Sequence, residues 1–113
     1  MKYTHKIDNG ILFINFNSDL LGASDSLELM DFINEKINQG VYKAIVNMKE
    51  VRYMNSSGIG VLVTIYTKFK NRNGDAVIVN PSEQIVKLLT MTKLDSVINI
   101  YKDEAEALLK FNL

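Results

Sequence analysis

Val51-Arg52-Tyr53-Met54-Asn55-Ser56-Ser57-Gly58-Ile59-Gly60 is the stretch whose reading decides the fold. It reads as a loop leading into the next element, with Ser56-Ser57 as plausible helix-start chemistry. The next stretch, Gly58 to Asn71, supports two readings. Val61, Val63 and Ile65 alternate as in a strand, and β-branched residues are weak helix formers. Ile59, Leu62, Val63, Tyr66 and Phe69 instead mark one helical face. Propensity alone leaves the choice open.

Upstream, Ala44-Ile45-Val46-Asn47-Met48 is a compact strand. Before it, Asp25 to Asn38 has the spacing of an amphipathic helix, with Leu29, Ile33 and Ile37 recurring at i+4. Asp25 with Glu28 resembles a capping box, and Gly40 is a C-terminal stop. Earlier still, Ile11 to Phe16 is an apolar run behind Asn9-Gly10, a strong hairpin pair, so a strand around Tyr3 to Ile7 pairs with it antiparallel. Downstream, Asn73-Gly74-Asp75 is a turn and Ala76 to Val79 a strand. Asn80, Pro81 and Glu83 open a third helix, with proline at its favoured first position and Ile85, Leu88 and Leu89 as its apolar stripe. Val97 to Ile100 is a last strand. Asp103 to Phe111 is a closing helix with an Asp103–Glu106 box.

Two strands followed by alternating helix and strand predict an α/β domain. Its mixed, mostly parallel sheet has about five strands, joined by right-handed crossovers. About four helices pack mainly on one face. The 113 residues fit one domain over 1–113. Hydrophobic residues at 47% and charged residues at 23% are ordinary for a globular chain.

Thirteen basic and 13 acidic residues leave a net charge of zero, with no basic stripe for nucleic acid and no polybasic membrane segment. Cysteine is absent, which removes disulfides, thiolate metal sites and a cysteine nucleophile. The N-terminus lacks the apolar core of a secretory signal. The most apolar run, Gly58 to Thr67, falls short of the roughly 20 residues needed to span a bilayer. The expectation is a cytoplasmic protein. His5 is the only histidine and cysteine is absent, so no ligand cluster for a metal exists, and nothing in the sequence brings His5 to Ser56 or Ser57 as a Ser-His-Asp triad requires. Gly58 and Gly60 lack the Lys-Ser or Lys-Thr of a phosphate-binding loop, and no cofactor is expected. Met30, Met48 and Met91 read as core fillers, and Met54 as a contact beside the serines. Tyr66 and Phe69 read as core. Lys68, Lys70 and Arg72 complement the helix C-terminus.

A helix start leaves backbone N–H groups without partners and carries partial positive charge, so an anion there is stabilised. A phosphate on a serine at this point adds about −1.5 to −2 charges. Met54-Asn55-Ser56-Ser57-Gly58-Ile59-Gly60 resembles the signature of STAS domains of the anti-sigma factor antagonist branch: aspartate, serine, serine, glycine, a large aliphatic, then glycine or alanine. Ile85 to Leu94 is similar to the family's third helix and the turn after it.

The resemblance favours helix over strand for Gly58 to Asn71. It implies a non-enzymatic antagonist that binds an anti-sigma factor with serine kinase activity, releases a sigma factor to regulate transcription, and is reset by a serine phosphatase. Ser56 is then the phosphoacceptor, with Met54, Asn55, Ser57, Gly58 and Ile59 in the partner-binding surface. Gly58 is expected to admit the partner's backbone. The alternative within the family is a scaffold without phosphorylation, in a stressosome-like complex or a lipid-transporting ABC assembly. The chain departs from the pattern at three places: Asn55 replaces the aspartate, the loop Asn17 to Ser24 matches poorly, and Lys93 stands where glycine is common.

Overall fold

The computed structural model describes residues 2–22 and 26–111. Five strands form one sheet in the order β1-β2-β3-β4-β5: β1 (Tyr3–Asp8), β2 (Ile11–Phe16), β3 (Lys43–Asn47), β4 (Asp75–Val79) and β5 (Ile100–Tyr101). β1 and β2 are antiparallel, and every later pairing is parallel. Asn9 (φ 51°) and Gly10 (φ 77°) both take left-handed backbone, the geometry of a type I′ hairpin turn.

Four helices occupy the crossovers and the end: α1 (Ser26–Asn38), α2 (Ser56–Lys70), α3 (Glu83–Met91) and α4 (Glu104–Phe111). The larger core unites Leu12, Ile14, Phe16, Ala44, Val46, Ala76 and Ile78 of the sheet with Leu29, Ile33 and Ile37 of α1, Leu62, Ile65 and Phe69 of α2, and Ile85 and Leu89 of α3. The opposite sheet face offers Ile11, Phe13, Ile45, Val77 and Val79 to α4 through Ala107. Period-2 alternation thus feeds two cores, and three helices share one face.

The ambiguous segment is helical from Ser56, and its apolar face is rotated from the expected one. Val61, Leu62, Ile65 and Phe69 are buried, Tyr66 is half-buried against the core, and Val63 is exposed. Valine and isoleucine serve the helix because its face closes the sheet, and burial outweighs their weak propensity.

Four expectations need correction. The third helix does not start at Pro81: Asn80 is left-handed (φ 56°), and Ser82 is the cap, its Oγ accepting from the Ile85 N–H at 3.2 Å. The last strand is not Val97 to Ile100. The Val97 and Ile98 N–H groups both donate to the Leu94 carbonyl of a short 3-10 turn, Leu94–Ser96, so neither is free to join the sheet. Met91 is 78% exposed and fills no core, unlike Met48, which is fully buried. Strand β3 begins at Lys43 and ends at Asn47, one residue earlier at each end than its apolar run.

Of the Asp103–Glu106 box, the capping half forms, with Asp103 Oδ1 accepting from the Glu106 N–H at 2.9 Å; the return bond goes one residue further back, Glu106 Oε1 accepting from the Lys102 N–H at 3.2 Å. The box expected at Asp25 lies outside the described residues.

Candidate functional site at the start of α2

Asn55 is the N-cap of α2. Its backbone is extended (φ −93°, ψ −177°) and its Oδ1 accepts from the Gly58 N–H at 2.8 Å. The Ile59 N–H donates to the Asn55 carbonyl at 3.0 Å, the first bond of the helix. That leaves the N–H groups of Ser56 and Ser57 without an intrahelical partner. Both serine side chains are exposed. The start of α2 therefore presents two hydroxyls and two backbone donors together at the positive end of a 15-residue helix.

The loop before α1 holds this start in place. Leu20 and Met54 form an isolated parallel bridge, in which the Leu20 N–H donates to the Tyr53 carbonyl at 3.1 Å and the Asn55 N–H to the Leu20 carbonyl at 3.2 Å. One carboxylate oxygen of Asp19 accepts from the Arg52 N–H (2.9 Å) and the Tyr53 N–H (3.2 Å). Leu20 is fully buried, and Gly22, left-handed at φ 74°, lies against Ser57 so closely that a methyl group there would strike the Ser57 side chain. The segment from Asn17 on, which matches the family pattern poorly, thus supplies a clamp of two peptide bonds and a carboxylate. No local signal in the sequence marks Asp19, Leu20 or Gly22 for this role, because their partners lie more than 30 residues away.

The expected site residues do not all face outward. Ser56 and Ser57 are exposed, while Asn55 and Ile59 are half-buried. Met54 is 1% exposed and belongs to the core, so its side chain is no partner contact; the bridge to Leu20 turns it inward. Gly58 is also buried, and its small size serves the chain itself. A side chain at 58 would collide with the Leu20 carbonyl, so the close approach is internal and not a partner's.

His5 packs against Phe32 of α1 with ring centroids 4.4 Å apart and planes tilted by 47°. Among the described residues, no group of three His, Cys, Asp or Glu side chains is placed to hold a metal ion. No helix among them is long and apolar enough to cross a membrane.

The family profile described as STAS domain matches residues 2–107. The chain belongs to the STAS domain family. Among STAS relatives, the anti-sigma F factor antagonist of Paenibacillus polymyxa is 26% identical over 100 residues, covering 88% of this chain and 85% of the relative. A crystal structure of a Thermotoga maritima protein, provisionally named an anti-sigma factor antagonist, superposes with a TM-score of 0.88 at 22% identity, covering 98% of this chain and 95% of that one. The anti-sigma factor antagonist SpoIIAA superposes in its unphosphorylated form with a TM-score of 0.78 at 20% identity, over 95% of this chain and 93% of that one. In its phosphorylated form, solved from Bacillus, the TM-score is 0.72 at 20% identity, over 96% and 98%. The profile match gives the family, the solved structures agree with the fold, and these relatives are named for anti-sigma factor antagonism.

Proposed function

We propose that this STAS domain is a phosphorylation-switched anti-sigma factor antagonist. It docks on an anti-sigma factor with serine kinase activity through the start of α2, accepts phosphate on Ser56, and is reset by a serine phosphatase. It acts by binding, as the kinase's substrate rather than as a catalyst. Sigma-factor release follows from docking, and the setting is the cytoplasm.

The observation that carries this reading is the exposed Ser56 at the first residue of a capped helix, beside two N–H groups with no partner among the described residues. A phosphoryl group there gains donors and the favourable end of the helix dipole. It also places about −1.5 to −2 charges on a docking surface that has no acidic residue in the first turn of the helix. The two effects have different consequences. The first stabilises the modified protein, and the second repels a partner surface adapted to the neutral serine. The relatives named for anti-sigma antagonism, and a STAS fold solved in a phosphorylated form, agree with the reading.

The test is incubation with ATP and kinases from the native cell, with intact mass and phosphosite mapping. Phosphate on Ser56 is expected. Ser56→Asp should lose the partner and Ser56→Ala should keep it. Equal binding by both variants, or phosphate only elsewhere, overturns the switch. A second reading, a STAS scaffold without the phosphorylation cycle, draws on Asn55, which lacks the charge of the family's aspartate; partner binding with no kinase modification supports it.

A further inference from the structure

The sheet has two unequal edges. β5 is two residues long, whereas β1 pairs with β2 over six residues without a bulge, and its outer side meets no other strand among the described residues. Which backbone groups point outward is fixed by the hairpin. The Asn17 N–H donates to the Lys2 carbonyl at 2.9 Å, so Lys2 and Asn17 form a hydrogen-bonded pair in the β1–β2 register. Such pairs alternate along an antiparallel ladder. Thr4, Lys6 and Asp8 therefore also turn their N–H and C=O groups toward β2, and Tyr3, His5 and Ile7 turn theirs outward. These outward groups have no backbone partner among the described residues. The chain's one proline is Pro81, so no proline blunts this edge.

We infer that β1 is the contact for a second copy of this chain, pairing antiparallel with its own counterpart about a two-fold axis through His5, so that two five-stranded sheets become continuous.

Register decides the case. Centring on His5 pairs Tyr3 with Ile7 of the other copy and His5 with His5. Every outward N–H and C=O of the three residues then finds a partner. On the same sheet face, the 44% exposed Ile7 is covered by the aromatic ring of Tyr3, a favourable cross-strand combination. On the other sheet face, Lys2 falls opposite Asp8 at both ends, and Lys6 opposite Thr4. Neither Lys2 nor Asp8 has an ion-pair partner among the described residues, so each is available to the other copy.

The neighbouring registers are worse. Centring on Thr4 sets Lys2 against Lys6, and centring on Lys6 sets Lys6 against Lys6; like charges directly opposite are destabilising. Centring on Ile7 runs the pairing into the Asn9–Gly10 turn. Of these registers, the one centred on His5 is self-complementary in hydrogen bonds, apolar cover and charge. Pairing about an axis perpendicular to the sheet leaves Ser56, on a helix over the sheet, outside the contact.

The experiment is sedimentation equilibrium of the full chain over a wide concentration range at low salt. Wild type is expected to associate reversibly to a dimer. Lys2→Asp and Asp8→Lys singly should each weaken association several-fold, and the Lys2→Asp/Asp8→Lys double variant should restore it. His5→Pro, which replaces an outward N–H, should abolish it; should that variant fail to fold, Ile7→Lys at an exposed position serves the same purpose. A wild type that stays monomeric at millimolar concentration overturns the inference. So does a dimer indifferent to the charge swaps.

Discussion

The backbone at Gly58 lies against the Leu20 carbonyl so closely that no side chain fits between them. That carbonyl is also the acceptor for the Asn55 N–H, one residue before α2 begins. The peptide group of Leu20 therefore fixes both the cap and the third residue of the helix. Gly58→Ala forces the two segments apart and should lower stability by about 1–3 kcal/mol. Gly60, two residues on, lacks left-handed backbone, and a methyl group added there would meet no neighbour within 4 Å. Gly60→Ala should raise stability by roughly 0.5–1 kcal/mol, the usual helical difference. Denaturant midpoints should move in opposite directions for the two variants.

Asn55 holds one of the orphan donors of α2. Asn55→Ala leaves the Gly58 N–H without its side-chain acceptor and should cost about 1 kcal/mol. Asn55→Asp keeps the acceptor and adds a negative charge at the positive end of the helix, so it should match or exceed wild type in thermal unfolding. If the aspartate variant unfolds as early as the alanine variant, the cap does not work through its oxygen.

Lys93 adopts left-handed backbone at φ 63° and ψ 18°, where a β-carbon is crowded. The family's frequent glycine at this place has a physical reason, and this chain carries the strain. Lys93→Gly should stabilise by about 1 kcal/mol, the strain relieved less the added chain entropy. Lys93→Ala should give no such gain. Comparison of the two separates backbone strain from loss of the lysine charge.

Burial, and secondarily the charge of Glu28, raises the Tyr3 hydroxyl above its ordinary value of 10.0. The folded state then holds that proton more tightly than the unfolded chain. Its contribution is complete below pH 10 and is lost as pH rises through the higher folded value. Tyr3→Phe should therefore flatten the alkaline limb of a stability–pH curve without changing the neutral region's slope. A wild-type curve already flat above pH 10 would contradict this.

Element order was legible because each strand is a short apolar run and each crossover helix carries its own spacing. Where the reading failed, a long-range term decided. Propensity leaves helix or strand open at Val61, Val63 and Ile65; the resemblance favours helix, and the sheet beneath α2 decides the buried face, covering the first and third and leaving Val63 outside. Val97 and Ile98 look like strand, yet a 3-10 turn claims their N–H groups. At the candidate site, the hydroxyls of Ser56 and Ser57 could be placed at a helix start from local chemistry. That Met54 turns inward and Gly58 accommodates Leu20 could not, since both depend on a loop more than 30 residues earlier in the chain.

The carboxylate of Asp19 bears on tempo. By accepting from two amides just ahead of α2, it anchors the approach to that helix to the loop before α1. On the function proposed above, a covalent mark on Ser56 would change the charge of a surface already held in place, so the tempo of such a circuit would be set by the enzymes that write and erase the mark.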